Sequence, residues 1–345
     1  MAVPEKVFEA YGIKRDDCKV QRIGAGHIHQ TFRVAGKKSF ILQRVNKHVF
    51  KNPEIIASNL REASNFLHEH HPEFLFLATI RTKEGKEMIY DDDGFPWRLF
   101  PYIENTITVD EVTSSDEAFS AAREFARLTR NLEGADINKF KATIDRFHDL
   151  TWRWEQFQDA LKAAKPERMK EAAGIITACK NFSWLVTKYD ELTSRRILVP
   201  RIMHNDTKIN NILFDAASGK ALCAIDLDTL MPGYFIYDVG DMIRTFVSPV
   251  NEEEKDLFKI FFREPIYNAL VDGYMSEMRA VLKEEEMEHI TFGGMMMTYI
   301  MAMRMLTDFL NGDVYYHTTY HGQNLVRSTN QFYLLALMEK YFSEK

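Results

Sequence analysis

One short segment carries the residue types and the spacing that phosphoryl transfer needs. In His204-Asn205-Asp206-Thr207-Lys208-Ile209-Asn210-Asn211 an aspartate follows a histidine, an asparagine closes the same loop, and Ile225-Asp226-Leu227-Asp228 adds further carboxylates downstream. Moving a phosphoryl group from ATP requires a carboxylate that orients and deprotonates an acceptor hydroxyl, and oxygen ligands that hold Mg2+ on the phosphates. Asp206 suits the first task, as the catalytic base. Asn211 and Asp226 suit the second, as metal ligands, and Asp228, on the same side of an extended strand as Asp226, is a candidate second metal or water contact. Lys208 is placed to neutralise charge on the moving phosphoryl. The blander reading is an Asx-rich loop that satisfies its own backbone donors. Order, spacing and the strand-like runs ILFD and ALCAIDLD around the turn AASGK favour the chemical one.

These residues need a scaffold, and the hydrophobic pattern describes one. Lys19 to Ile23, Gln30 to Ala35 and Ser39 to Val45 are short, rich in β-branched and aromatic types and separated by glycine-containing turns, like strands of an antiparallel meander. Apolar residues at three-to-four-residue spacing predict a helix from Pro53 to His70. Strand candidates follow at Phe76 to Thr82 and Met88 to Tyr90, then the turn DDDGFP and the run WRLFPYI. Beyond it, helical periodicity predicts Ser115 to Leu132, Leu150 to Ala164, Pro166 to Glu191, Glu252 to Ala280, Lys283 to Asn311 and Ser328 to Phe342. The chain therefore reads as α+β and bilobal. A small antiparallel-sheet lobe with one helix, residues 1–103, would bind nucleotide, and a larger, mostly helical lobe, residues 104–345, would carry catalysis and substrate.

Composition narrows the class. A net charge of −6 argues against a phosphate-backbone binder, so no nucleic-acid partner is expected. The most apolar stretch, Phe292 to Met303, is shorter than the roughly 20 residues that span a bilayer, and the first residues have no apolar signal core, so no membrane association and a cytoplasmic location are expected. Cys18, Cys179 and Cys223 lie far apart and read as reduced, packed thiols. The run His68 to His71 ends a helix and reads as dipole-compatible surface, and Met295 to Met305 as adaptable core.

The motifs HNDTKINNILFD, IDLDTLMPG, YDVGDMIR, FILQRVN and RMLTDFLNGDVYYHTTYHGQNLVR together resemble the aminoglycoside phosphotransferase and choline kinase superfamily, and within it the N-acetylhexosamine 1-kinase branch. The resemblance touches nearly the whole chain. It implies a protein-kinase-like fold and ATP as co-substrate with Mg2+. It puts Gly24 and Gly26 over the phosphates, Arg44 in place of the usual strand lysine with Glu62 as its partner, and Tyr102 or Phe100 beside adenine near a hinge at Ile103. It gives Asp238 the work of holding the catalytic loop, and it departs at His29, where the family carries asparagine. For the acceptor it implies the anomeric hydroxyl of N-acetylglucosamine or N-acetylgalactosamine, contacted by Arg304 and Tyr315. Ordinary readings stand beside these: a solvated strand arginine, a hairpin glycine turn, a helix-face Arg304, a core Tyr315. Choline, ethanolamine, homoserine, methylthioribose or an aminoglycoside is the alternative acceptor, and an inactive kinase fold used as a binding module is the alternative of another class.

Overall fold

The computed structural model describes residues 3–24 and 29–345. It divides into two compact units: Met1–Ile107 with Asn131–Asp145 and Leu213–Pro232, and Thr108–Arg130 with Arg146–Ile212 and Gly233–Lys345. A single cut after Ile103 does not separate them, because later segments return to the first unit. Asn59 shows why: its side chain accepts the Lys141 N–H at 3.0 Å and donates to the carbonyls of Lys141 and Leu230 at 2.8 and 2.9 Å. Strand pairing of Thr106 with Asp215 adds a second tie.

The first unit holds a helix α1 (Glu5–Tyr11), strands β1 (Lys19–Ile23), β2 (Gln30–Ala35) and β3 (Phe40–Arg44), a helix α2 (Pro53–His70), then β4 (Ile89–Tyr90) and β5 (Pro96–Pro101). The strands form an antiparallel sheet in the order β1-β2-β3-β5-β4. Alternation gives the sheet two unlike faces. Phe32, Val34, Leu42, Trp97 and Leu99 pack with Val7 and Phe8 of α1 into one core. Thr31, Gln43 and Arg98 stand on the opposite, polar face, where Gln43 pairs directly across from both Thr31 and Arg98. Helix α1, not anticipated from the sequence, exists because the core face of the sheet needs a cover. Phe76 to Thr82 forms no strand; it contributes a single bridge, Ile80 to Leu99. The prolines at both ends of β5, Pro96 and Pro101, lack the N–H groups that a longer ladder would require.

In the second unit the helices are α3 (Ser115–Asn131), α4 (Leu150–Ala163), α5 (Pro166–Glu171), α6 (Ala173–Asn181), α7 (Trp184–Ser194), α8 (Phe235–Phe246), α9 (Glu264–Met278), α10 (Glu284–Met287), α11 (Ile290–Leu310) and α12 (Gln323–Ser343). The run Pro166 to Glu191 breaks into three because ψ swings to about zero at Ala172 and Phe182, off the helical value. Residues 252–263 form no α-helix, only a single 3-10 turn at Leu257–Lys259. Asn251, Glu254 and Asp256 turn their side chains onto backbone N–H groups two residues ahead, and the helix starts only where Pro265 sets its first turn.

Helix α11 is apolar on nearly every side and is packed by α4, α8 and α12. Met296, Met297, Met303 and Met305 are buried in that core, as adaptable packing requires. No helix among the described residues is long and apolar enough to cross a membrane.

Candidate active site

The loop after Arg201–Met203 is held by carboxylates that arrive on one helix turn. Asp238 and Asp241 lie three apart at the start of α8, on the same face. Asp238 accepts the N–H groups of His204 at 3.0 Å and Asn205 at 2.7 Å, while its own carbonyl takes the Thr207 hydroxyl at 2.7 Å. Asp241 accepts the Thr207 N–H at 3.0 Å and is held in turn by Arg244 at 2.8 Å. Burial pushes the Asp238 carboxyl up to about 6, against the pull of His204 and the two backbone donors. Asn205 adopts a left-handed backbone with φ 64°, and His148 donates from Nε2 to its carbonyl at 2.8 Å. Burial drives the His148 pKa down to about 4, so that imidazole is neutral. A Cβ on Gly233 would stand 2.6 Å from Asn205 Oδ1, so any larger residue there would push the Asn205 side chain out of this turn.

Within that clamp Asp206 projects its carboxylate toward two partners. Lys208 Nζ lies 3.2 Å from Oδ1, and Asn211 Nδ2 donates to Oδ2 at 3.1 Å and to the Asp206 carbonyl at 2.8 Å. Burial acts to raise the Asp206 pKa, but Lys208, His204 and these hydrogen bonds outweigh it and hold the carboxyl below its ordinary value. Asp206 raises the Lys208 pKa in return. An ionised Asp206 is a ready acceptor for a hydroxyl proton. Asn211 commits its nitrogen to Asp206, which leaves Oδ1 as the atom it could offer to a metal.

Arg304 sits on α11, about nine-tenths buried, with its guanidinium 5.2 Å from the Phe147 ring and 5.9 Å from that of Tyr315. Its hydrogen-bonding contact is the Met301 sulfur at 3.5 Å, and among the described residues it has no carboxylate partner. Tyr316 Oη is buried and unpaired close by. The loop that carries Tyr315 is built around Asp308, which accepts the N–H groups of Val314, Tyr315 and Tyr316 at 2.8 to 3.0 Å and the Asn324 amide at 2.9 Å. Tyr315 itself is exposed.

The first unit carries the other expected residues. Asp226 is exposed and left-handed at φ 57°. Asp228 is buried, with Oδ1 2.5 Å from Arg98 Nη1 and Oδ2 2.7 Å from His29 Nε2. Both oxygens are therefore engaged by protein cations and donors, and Arg98 and His29 hold the carboxyl well below the usual range although burial opposes them. Asp228 nonetheless offers a carboxylate oxygen within 4.8 Å of one from Asp226.

Arg44 and Glu62 do not pair. Arg44 binds Asp91 at 2.8 Å and lies over Phe95, and Glu62 faces Lys139 at 3.6 Å. Strand alternation explains it: Arg44 shares the core face with Trp97, which also donates to Asp91, whereas Gln43 and Arg98 occupy the polar face. Tyr102 is covered by the Arg33 guanidinium at 4.2 Å. Gly24 has φ 77°, a turn conformation suited to glycine, and Gly26 lies outside the described residues.

A model of the phosphotransferase enzyme family matches residues 19–270, well over half of the sequence. The chain belongs to that family. Solved structures share the fold of this phosphotransferase across almost its whole length. A microcompartment-associated aminopropanol kinase superposes with a TM-score of 0.69 at 18% identity, covering 98% of this chain and 96% of its own. An aminoglycoside phosphotransferase from Alicyclobacillus acidocaldarius gives 0.65 at 11% identity, covering 100% and 98%. A choline kinase from Cryptosporidium parvum gives 0.56 at 14% identity, covering 96% and 92%. These likenesses establish a kinase-like fold of an antiparallel-sheet lobe and a helical lobe.

Several working residues of this phosphotransferase were not anticipated. Asp241 was legible in Tyr-Asp-Val-Gly-Asp had the segment been read as a helix, since a spacing of three puts both carboxylates on one face. Arg98 and His148 carried no local signal, because each gains its role from a partner more than fifty residues away, and Asp308 gathers its partners from the following loop and from Asn324 of α12.

Proposed function

We propose that this phosphotransferase is a cytoplasmic, Mg2+- and ATP-dependent kinase that phosphorylates the anomeric hydroxyl of an N-acetylhexosamine, N-acetylglucosamine or N-acetylgalactosamine. The observation that carries the kinase reading is the Asp206 carboxylate, ionised and fixed between Lys208 and Asn211 on a loop whose backbone is clamped by Asp238 and Asp241. In the reaction the acceptor oxygen bonds to the γ-phosphorus, the bond from that phosphorus to the bridging oxygen breaks, and the hydroxyl proton passes to Asp206. The sugar 1-phosphate and ADP leave. Lys208, beside Asp206, supplies positive charge to the transferring group. The hard oxygen donors of Asn211 and the exposed Asp226 fit Mg2+ rather than a soft metal. When bound, that ion would shield the phosphate charge. Nothing in a pure scaffold requires Asp206, Asn211 and Asp226 together, which weighs against an inactive binding module.

Arg304 discriminates among acceptors. A buried guanidinium without a carboxylate repels the cationic head of choline or an aminoglycoside, and donates well to the hydroxyl and acetamide oxygens of a neutral sugar. The motif resemblance points the same way, with Arg304 and Tyr315 on the sugar. ADP release should be measured against both N-acetylhexosamines, galactose, choline, homoserine, methylthioribose and kanamycin, with Asp206→Asn as control. A hexosamine signal lost in the variant is the expected result. Turnover of choline or kanamycin alone would discard the sugar reading, and unchanged turnover in the variant would discard Asp206 as base.

A further inference from the structure

His29 is buried and both of its ring nitrogens are engaged. The Asn46 N–H donates to Nδ1 at 3.1 Å, so Nδ1 presents a lone pair and the proton resides on Nε2, which donates to Asp228 Oδ2 at 2.7 Å. The ring also stacks on Phe50 at 5.5 Å. Although His29, Asp226 and Asp228 lie close enough to suggest a three-ligand metal site, an imidazole with no spare lone pair is not a ligand there. What it does instead is hold Asp228 from one side while Arg98 holds it from the other. Arg98 is anchored by Gln43 at 2.8 and 3.1 Å, and Gln43 by Thr31 at 3.2 Å, so the polar face of three adjacent strands is wired to this one carboxylate. Two residues before it, Asp226 stands exposed in a left-handed backbone, a conformation that aspartate adopts more readily than most side chains but that neighbours must still help to hold.

We propose that His29 is a positioning residue for the metal-nucleotide complex. Its Nε2–H fixes Asp228, and through Asp228 it fixes the backbone that presents Asp226. The proposal rests on the kinase reading of Asp226 and adds to it a residue that touches neither metal nor nucleotide. Glutamine and asparagine separate the two ring functions: His29→Gln keeps a donor near the Nε2 position, whereas His29→Asn keeps an acceptor for the Asn46 N–H and withdraws the donor from Asp228.

The test is titration of the full chain with a fluorescent ATP analogue, with Mg2+ and with EDTA, beside thermal unfolding of each variant. This reads nucleotide binding without knowledge of the acceptor. Expected are near-wild-type affinity for His29→Gln and affinity lowered about 10-fold for His29→Asn in Mg2+, with a much smaller change in EDTA. Equal binding by His29→Asn and wild type would overturn the proposal. So would equal losses in both variants that follow their melting temperatures, since that is simple packing. A wild-type chain that binds no nucleotide would sink the kinase reading itself, a distinct outcome.

Discussion

Gly240 of α8 lies directly against the backbone of Gly293 in α11: a Cβ built on Gly240 would stand 2.7 Å from the Gly293 carbonyl carbon and 2.6 Å from Met297 Cγ. Gly240 sits between Asp238 and Asp241, so the helix contact that fixes α8 also fixes the two carboxylates that clamp the Asp206 loop. Gly240→Ala should cost about 1–3 kcal/mol by overpacking, against the small gain in helix propensity. Thermal unfolding would show the loss, and turnover per folded molecule should fall with it; a variant as stable and as active as wild type would contradict this account of the crossing.

The Asp238 clamp makes its own prediction. Asp238→Asn leaves one acceptor oxygen for two backbone donors, the N–H groups of His204 and Asn205. The loop should shift by a fraction of an ångström and kcat should drop by up to about 100-fold. The KM for ATP should change little, so steady-state kinetics that show the reverse split would count against a loop-holding role.

Glu124, on α3, is a buried carboxyl whose pKa is pushed up to about 7 from an ordinary 4.5, chiefly by burial, with Glu277 adding repulsion and Arg127 and Arg123 opposing. Glu277 has already taken Arg123 at 2.8 Å and Arg130 at 2.7 Å. Because the folded state binds this proton more tightly than the unfolded chain, the contribution of Glu124 to stability is fully present below 4.5 and is lost as pH rises through about 7. Glu124→Gln should flatten that part of the stability profile and raise stability on its alkaline side. Denaturant midpoints measured across the window check this, and a slope identical in the variant would place the titration elsewhere.

Arg304→Ala should raise the KM of the acceptor by roughly 10-fold or more, the worth of a charged hydrogen bond, while nucleotide affinity stays as it was. Arg304→Lys should recover only part of it, because the planar fork matches two oxygens at once. Inhibition of turnover by a cationic acceptor analogue in Arg304→Ala but not in wild type would support the electrostatic exclusion drawn above.

By itself the sequence determined the residues that could do chemistry and most of the elements that hold them. The closeness of Asp206 to Asn211 was legible because both lie on one loop, where spacing alone constrains geometry, and Lys19–Ile23, Gln30–Ala35 and Pro53–His70 because β-branched and aromatic content between turns and helical periodicity are local properties of the chain. The tertiary structure decided what depends on partners distant in sequence. Which face of β3 Arg44 occupies follows from where α1 and Trp97 build the core, and that choice sent Arg44 to Asp91 and left Glu62 to Lys139. The burial of Asp228 between Arg98 and His29 tied it to the polar face of the sheet, and the close approach of Gly240 to Gly293 placed Asp238 and Asp241 beneath the loop. A hydrophobic pattern records which side of an element is buried; it does not record which distant side chain will be waiting there, and a charged group acquires its role from that neighbour.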